Sequence, residues 1–252
     1  YYRARMLDSS GNARRATADR GYTTVSPDGY ALGAPSALAD GSGNSVRFSG
    51  TTGRIAESFT NAFEPAMTGP SEYTVELWFR TAGTSGGRLA GFGDRRTELY
   101  EREPPGSSPP VYRNSLSTRT DRLLYLTDTG RLTFGTLSGS TRVTIASTSA
   151  YNDRQWHHVV ATSGPDGMRL YVDGVRVASG ASTANASYPG YWKLGYDTLS
   201  GWPNRPAKSA AAGDVDEFAV YHRALSGAEA ADHFLAGRRP TSTWSRRPRL
   251  PG

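Results

Sequence analysis

The sequence predicts an all-β protein, a two-sheet antiparallel sandwich with one short C-terminal helix. Three observations carry that prediction. Apolar residues recur with period two, the pattern of strands with one buried face. Glycine (29 residues) and proline (15) supply many turns and leave room for few long helices. One stretch near the C-terminus carries helix-capping residues at helical spacing. A length of 252 residues fits one large β-sandwich or barrel, or at most two ordinary domains.

The elements follow in chain order. SVRFS (45–49) puts Val46 and Phe48 on one face. YTVELWF (73–79) puts Val75, Leu77 and Phe79 on one face and Glu76 and Trp78 on the other. The stretch 101–121 has four prolines and little periodicity, so it reads as a long irregular loop. LLYL (123–126), TDTG and RLTFG (131–135) form a hairpin with Leu132 and Phe134 inward, and VTIAS (143–147) is another short strand. In WHHVVATSGPDGMRLYVDGVRVASG (156–180) the turns Pro165-Asp166-Gly167 and Asp173-Gly174 divide three strands into a meander. Glycine reaches the positive φ such turns need, and Asp bonds its own backbone. DVDEFAVYH (214–222) is a late strand with Phe218 and Val220 on one face. Ser226 and Glu229 form a capping box, Gly237 stands where a C′ glycine belongs, and Phe234 is placed to seat the helix on the sandwich.

Composition excludes several functions. With no cysteine there is no disulfide framework, thiolate nucleophile or Cys-ligated zinc. No apolar run approaches the roughly 18 residues of a membrane helix. The net charge of +6 sits mostly in residues 238–252, a Pro-rich tail with five Arg and no acid. The body holds 24 bases and 23 acids, so the electrostatic footprint of a nucleic-acid binder is missing. The chain starts at Tyr1 without a signal-peptide core, which reads as a processed or excised piece.

The blocks SVRFSG, YTVELWFRT, DRQWHHVVAT, MRLYVDGVRVA and GDVDEFAVYHRALSGAEAADHF, in that order, resemble the laminin-G-like members of the concanavalin A-like lectin/glucanase superfamily. The opening LDSSGN (7–12) is similar too. The resemblance implies a jelly roll of two curved antiparallel sheets over residues 1–237, with 238–252 as a basic tail or linker. It implies a module of a larger secreted, cell-surface or phage tail protein that binds a glycan, a cell-surface polysaccharide or another protein. It also implies a structural Ca²⁺ where the N-terminal segment meets the last strand, at Asp8 and Asp216. Asp214, two residues earlier, shares the face of Asp216.

Catalytic signals are weak. The related glucanases use two flanking acids, whereas YTVELWFRT offers Glu76 alone. ELYERE (98–103) has three Glu but leads into the Pro-rich stretch. His157 and His158 are adjacent on a strand and point to opposite faces, and all four His read as structural or surface residues. Binding signals are stronger. Sugars present flat apolar faces ringed by hydroxyls, which flat aromatic rings beside polar side chains can match. The loop 188–206 gathers Tyr191, Trp192, Asp197, Trp202 and Asn204, and Gly201 and Pro203 flank Trp202 as in an exposed, shaped turn. Glu76, Trp78 and Tyr171 form a second candidate surface on the central strands. The expectation is a non-catalytic carbohydrate-binding or adhesion module. The alternatives are a structural assembly or protein-interaction domain without a glycan ligand, and a divergent hydrolase or lyase.

Overall fold

The computed structural model describes residues 5–6, 16–18, 29–51, 54–57, 66–84, 86–95 and 116–240. Asp8, the run ELYERE and most of the Pro-rich stretch lie outside them, as does the tail beyond residue 240. The strands are β1 (Arg5–Met6), β2 (Ala16–Ala18), β3 (Tyr30–Ala34), β4 (Ser45–Ser49), β5 (Arg54–Glu57), β6 (Met67–Thr68), β7 (Tyr73–Arg80) and β8 (Gly87–Gly93). They continue as β9 (Thr120–Leu126), β10 (Arg131–Ser138), β11 (Thr141–Ala150), β12 (His157–Gly164), β13 (Gly167–Val172), β14 (Val175–Gly180), β15 (Pro189–Gly195) and β16 (Ala212–Tyr221), before helix α1 (Gly227–Gly237).

Two antiparallel sheets result. The first runs β1-β2-β5-β15-β8-β9-β10-β11, with β6 pairing beside β15, and the second runs β14-β13-β12-β7-β16-β4-β3. The predicted meander is β12-β13-β14, and its Asp173-Gly174 turn has both residues at positive φ (52° and 78°), as a tight hairpin requires. The predicted hairpin is β9-β10, with Phe134 opposite Leu124.

The period-two pattern becomes the core. Val75, Leu77 and Phe79 on β7 face Leu132, Phe134 and Phe92 from the other sheet, all fully buried. Tyr73 bridges the layers, its ring edge-on to Phe134 at 6.1 Å and near Trp192 at 6.0 Å. Met168, Leu170 and Val172 complete the floor of the second sheet.

The irregular reading of residues 101–121 holds less of the chain than expected. β9 starts at Thr120, and Asp121 and Arg122 are fully buried within it. Arg122, at φ 51°, bonds Asp121 Oδ2 at 2.6 Å and the carbonyls of Pro70 and Ala186, and its guanidinium lies 5.3 Å from the rings of both Tyr73 and Phe92. A buried charge is tolerated only when paired and bonded in this way.

The central strands of both sheets are covered on their outward side. Helix α1 lies on the second sheet: Phe234 stacks on Trp78 at 5.8 Å, and Ala230 and Leu225 pack with Val160 and Tyr171. Its N-terminus is the predicted capping box, with the Glu229 N–H donating to Ser226 Oγ and the Ser226 N–H to Glu229. The C-terminus differs from the expectation. Gly237 is the last helical residue, and Arg238 caps in the right-handed region at φ −91°. Packing is what demands glycine there, since a Cβ would lie 2.5 Å from Trp78 Cζ2. On the first sheet the cover is the loop 196–211, which follows β15 and leads into β16.

Candidate functional site

Trp202 decides what the loop 196–211 does. Phe134 points into the core, so Gly135 beside it faces outward, and a Cβ on Gly135 would sit 2.4 Å from Trp202 Cζ3. The indole therefore packs against bare backbone. It is 3% exposed, and its N–H donates to Thr120 Oγ1 at 3.1 Å. The turn around it is shaped as expected, with Gly201 at φ 76° and the Trp202 N–H bonded to the Leu199 carbonyl. The expected exposed ring is corrected. Apolar area gains more from burial than from solvent contact, and a strand glycine clears the space.

Beside Trp202 lies a buried ion cluster. Asp197 Oδ2 accepts from Lys193 Nζ at 2.8 Å and Ser117 Oγ at 2.7 Å and lies 3.1 Å from Arg88 Nη1, while Oδ1 accepts from the N–H groups of Ser117 and Thr198. Burial pushes its pKa up, but the charges of Arg88 and Lys193 and their bonds outweigh that and hold the carboxyl far below the usual range. A Cβ on Gly93 would lie 3.0 Å from Asp197 Oδ2, and one on Gly91 2.8 Å from Arg88 Nη2. Asp197 is thus spent within the protein. Trp192 is buried in the core against Phe92 at 5.3 Å, Tyr191 is half-buried, and Asn204 stands exposed at φ 49°. The five loop candidates form no common aromatic platform.

The second expected surface is sealed as well. Glu76, Trp78 and Tyr171 are buried beneath α1. Two histidines converge on Glu76, His158 Nε2 at 2.7 Å and His233 Nδ1 at 3.0 Å. Burial opposes ionisation of Glu76, but those bonds and the histidine charges keep its pKa below the ordinary carboxylate value. His157 points to the opposite face, as predicted, and bonds Asp173 at 2.8 Å and Asp153 at 3.1 Å. The His158–Glu76–His233 group was invisible in sequence, because it needs the β7–β12 register and the helix placement together.

The described part of the calcium set does not fit a cation. Asp214 lies opposite Arg47 on β4 and Arg80 on β7. Their guanidinium groups occupy both its oxygens, each with a contact of 2.6 Å. Two arginines already balance the charge of Asp214, so no metal is needed to offset it. Asp216 accepts from Ser36 Oγ at 2.9 Å and the Ala37 N–H at 2.8 Å, pinning the segment after β3. Among the described residues no three of His, Asp and Glu converge as metal ligands.

A cleft of about 510 Å³ opens at one end of the first sheet. Its walls are the start of β9 (Ser117, Thr118, Arg119, Thr120), the β10–β11 turn (Leu137, Gly139, Ser140, Arg142) and the loop residues Thr198 and Ser200. Arg142 lies 5.8 Å above the Trp202 ring and Arg119 lies 4.3 Å above Tyr188. The loop contributes Thr198 and Ser200 to this lining, and none of Tyr191, Trp192, Asp197, Trp202 and Asn204 is part of it. The rings brace the cleft from beneath, while hydroxyls and guanidinium groups line it.

A family model described as the concanavalin A-like lectin/glucanases superfamily matches residues 40–231. No curated protein matches the chain. Among solved structures, domain 4 of AbnA, a GH43 extracellular arabinanase from Geobacillus stearothermophilus in complex with arabinotriose, is similar at 18% identity and TM-score 0.54, over 89% of this chain and 90% of that one. The binding domain of Paraclostridial mosquitocidal protein 1 is similar at 13% identity and TM-score 0.56, over 90% of this chain and 48% of that one. The receptor binding domain of botulinum neurotoxin D is similar at 11% identity and TM-score 0.56, over 91% and 49%. The chain thus spans about half the length of the two toxin domains, and at these identities the likeness is one of fold.

Proposed function

The chain belongs to the concanavalin A-like lectin/glucanases superfamily, and from that premise we propose that it is a non-catalytic carbohydrate-binding or adhesion module of a secreted, cell-surface or phage tail protein. The cleft carries this reading. It is concave, polar and built from loops at the end of a rigid sandwich, where recognition residues tend to sit. Among the described residues the chain itself covers the central strands of both broad faces, which supports the rim as the place where a ligand is met. The arabinanase domain that aligns along nearly its whole length is a sugar-bound module, which supports a glycan as the ligand class. The burial of Glu76 between two histidines under α1 supports the non-catalytic reading, since an acid has to reach the glycosidic oxygen to protonate it. Residues 238–252 serve in this reading as a linker to further domains outside the cell, and weak single sites gain strength through multiple copies.

A glycan array with the wild-type protein and Ser140→Trp tests the assignment. Ser140 is exposed in the β10–β11 turn, so an indole there fills the cleft without touching the core. Glycan binding lost in the variant is the expected result. No binding to any glycan by the wild type would overturn the reading and favour an assembly domain.

A further inference from the structure

We propose that this cleft selects an anionic glycan, with a carboxylate or sulfate-ester group of the sugar held by Arg119 and Arg142. The inference rests on the binding-module reading and adds the charge of the ligand. Among the described residues the lining includes two guanidinium groups and no acidic side chain. The carboxylates bonded to the lining are already satisfied. Asp94 accepts from the N–H groups of Thr118 and Arg119 and from the Thr118 hydroxyl. Asp197 is neutralised by Lys193 and Arg88. Asp94 keeps its charge behind the wall, so the described lining itself carries two positive charges and no negative one. Among the described residues neither arginine forms an ion pair with a carboxylate.

The seating geometry matters more than the charge count. Arg119 Cζ lies 4.3 Å over the Tyr188 ring centre and Arg142 Cζ 5.8 Å over that of Trp202, so an aromatic ring seats each cation. The planar guanidinium fork carries in-plane N–H donors that match a carboxylate or sulfate bidentately. A Cβ on Gly201 would lie 2.9 Å from Arg142 Nη2, so glycine there leaves room for the seat.

The hydroxyls point the same way. The protons of Ser117 and Thr118 are committed to Asp197 and Asp94. Thr120 and Thr198 accept bonds from Trp202 and the Ser200 N–H, so their own hydroxyl protons remain to be given. The rim is rich in donors, and its natural complement is a ligand rich in acceptors.

Isothermal titration with four oligomers of equal length tests the proposal: a galacturonate, a sulfated galactan, a neutral arabinan and poly-glutamate. We expect the galacturonate, the sulfated galactan or both to bind, weakening as salt rises. Which of the two binds identifies the anionic group. Arg142→Lys keeps the charge and loses the fork, Arg119→Gln loses both, and each is expected to weaken binding by about tenfold. Unchanged melting temperatures in both variants make that loss a recognition effect. If a variant unfolds, the salt dependence and the neutral-sugar comparison on the wild type decide. Binding of the arabinan alone, unaffected by either variant, would overturn the anionic assignment and leave the glycan module standing. Failure of all three sugars would overturn both, and tighter binding of poly-glutamate than of any sugar would transfer the site to an acidic peptide.

Discussion

Trp202→Ala separates an anchor from a ligand platform. A buried Trp covers about 200 Å² and its truncation costs about 3–5 kcal/mol. The position argues for the lower end. The indole sits under a loop on an outer face, and the loop can settle into part of the space, whereas the core beneath cannot. The lost N–H bond adds little, because Thr120 Oγ1 lines the cleft and water can replace the indole. About 3 kcal/mol is roughly two decades in the folding equilibrium, and for a chain of this size it lowers the melting temperature by about 6–12 °C. Differential scanning calorimetry reads the shift, and Trp202→Phe is expected to recover part of it. A melting temperature within about 1 °C of wild type, combined with lost glycan binding, would refute the anchor and restore the ring to a recognition role.

Other consequences follow from the same geometry. Asp197→Asn leaves Lys193 and Arg88 uncompensated at a fully buried site, so urea titration should show a loss of about 3–5 kcal/mol. Because the folded pKa of Asp197 lies below 3.8, its contribution is present above that pH and is lost as pH falls through the folded value; the Asn variant should show a shallower acid transition. His157 behaves oppositely. Burial lowers its pKa, but bonds and charge from Asp173 and then Asp153 raise it above 6.5, so its contribution is complete below 6.5 and fades as pH rises through the raised value. Melting temperature should therefore fall between about pH 6 and 9 more in wild type than in His157→Gln. Melting curves in EDTA and in millimolar calcium should coincide, since Asp214 is held by Arg47 and Arg80. A rise with calcium would count against that reading, because a ligand of the native state at a hundredfold excess over its Kd adds about 2.7 kcal/mol.

The strands and the meander were legible because their causes are local: alternation on β7 and β13 and the Asp173-Gly174 turn. The helix start was legible for the same reason, in the Ser226–Glu229 box. Its end was misread because Gly237 answers to Trp78, 159 residues away in the chain, and not to its own φ. The same limit explains the site. Apolar alternation gives the two faces of a strand but does not say whether a later segment will cover the outer one. Trp78 and Glu76 read as a candidate surface because Phe234 seats the helix on the sandwich without saying on which face. A clue to the other cover was present: Gly91 and Gly93 on β8 and Gly135 on β10 are glycines inside strands, where close backbone approach is the usual reason. Arg119 and Arg142 carried no sequence signal, since a cleft wall built from three separate segments appears only once they meet.

Gly93 and Gly135 open a shallow channel on the first sheet, and Asp197 and Trp202 are laid into it. Channel and filling must then change as a matched pair. A methyl group added to the channel would lift the filling and tilt the seat of Arg142, whereas exchanges in the Gly139–Ser140 turn would leave both in place. Diversity in what this scaffold grips is therefore expected to arise at the turn, with the channel held constant.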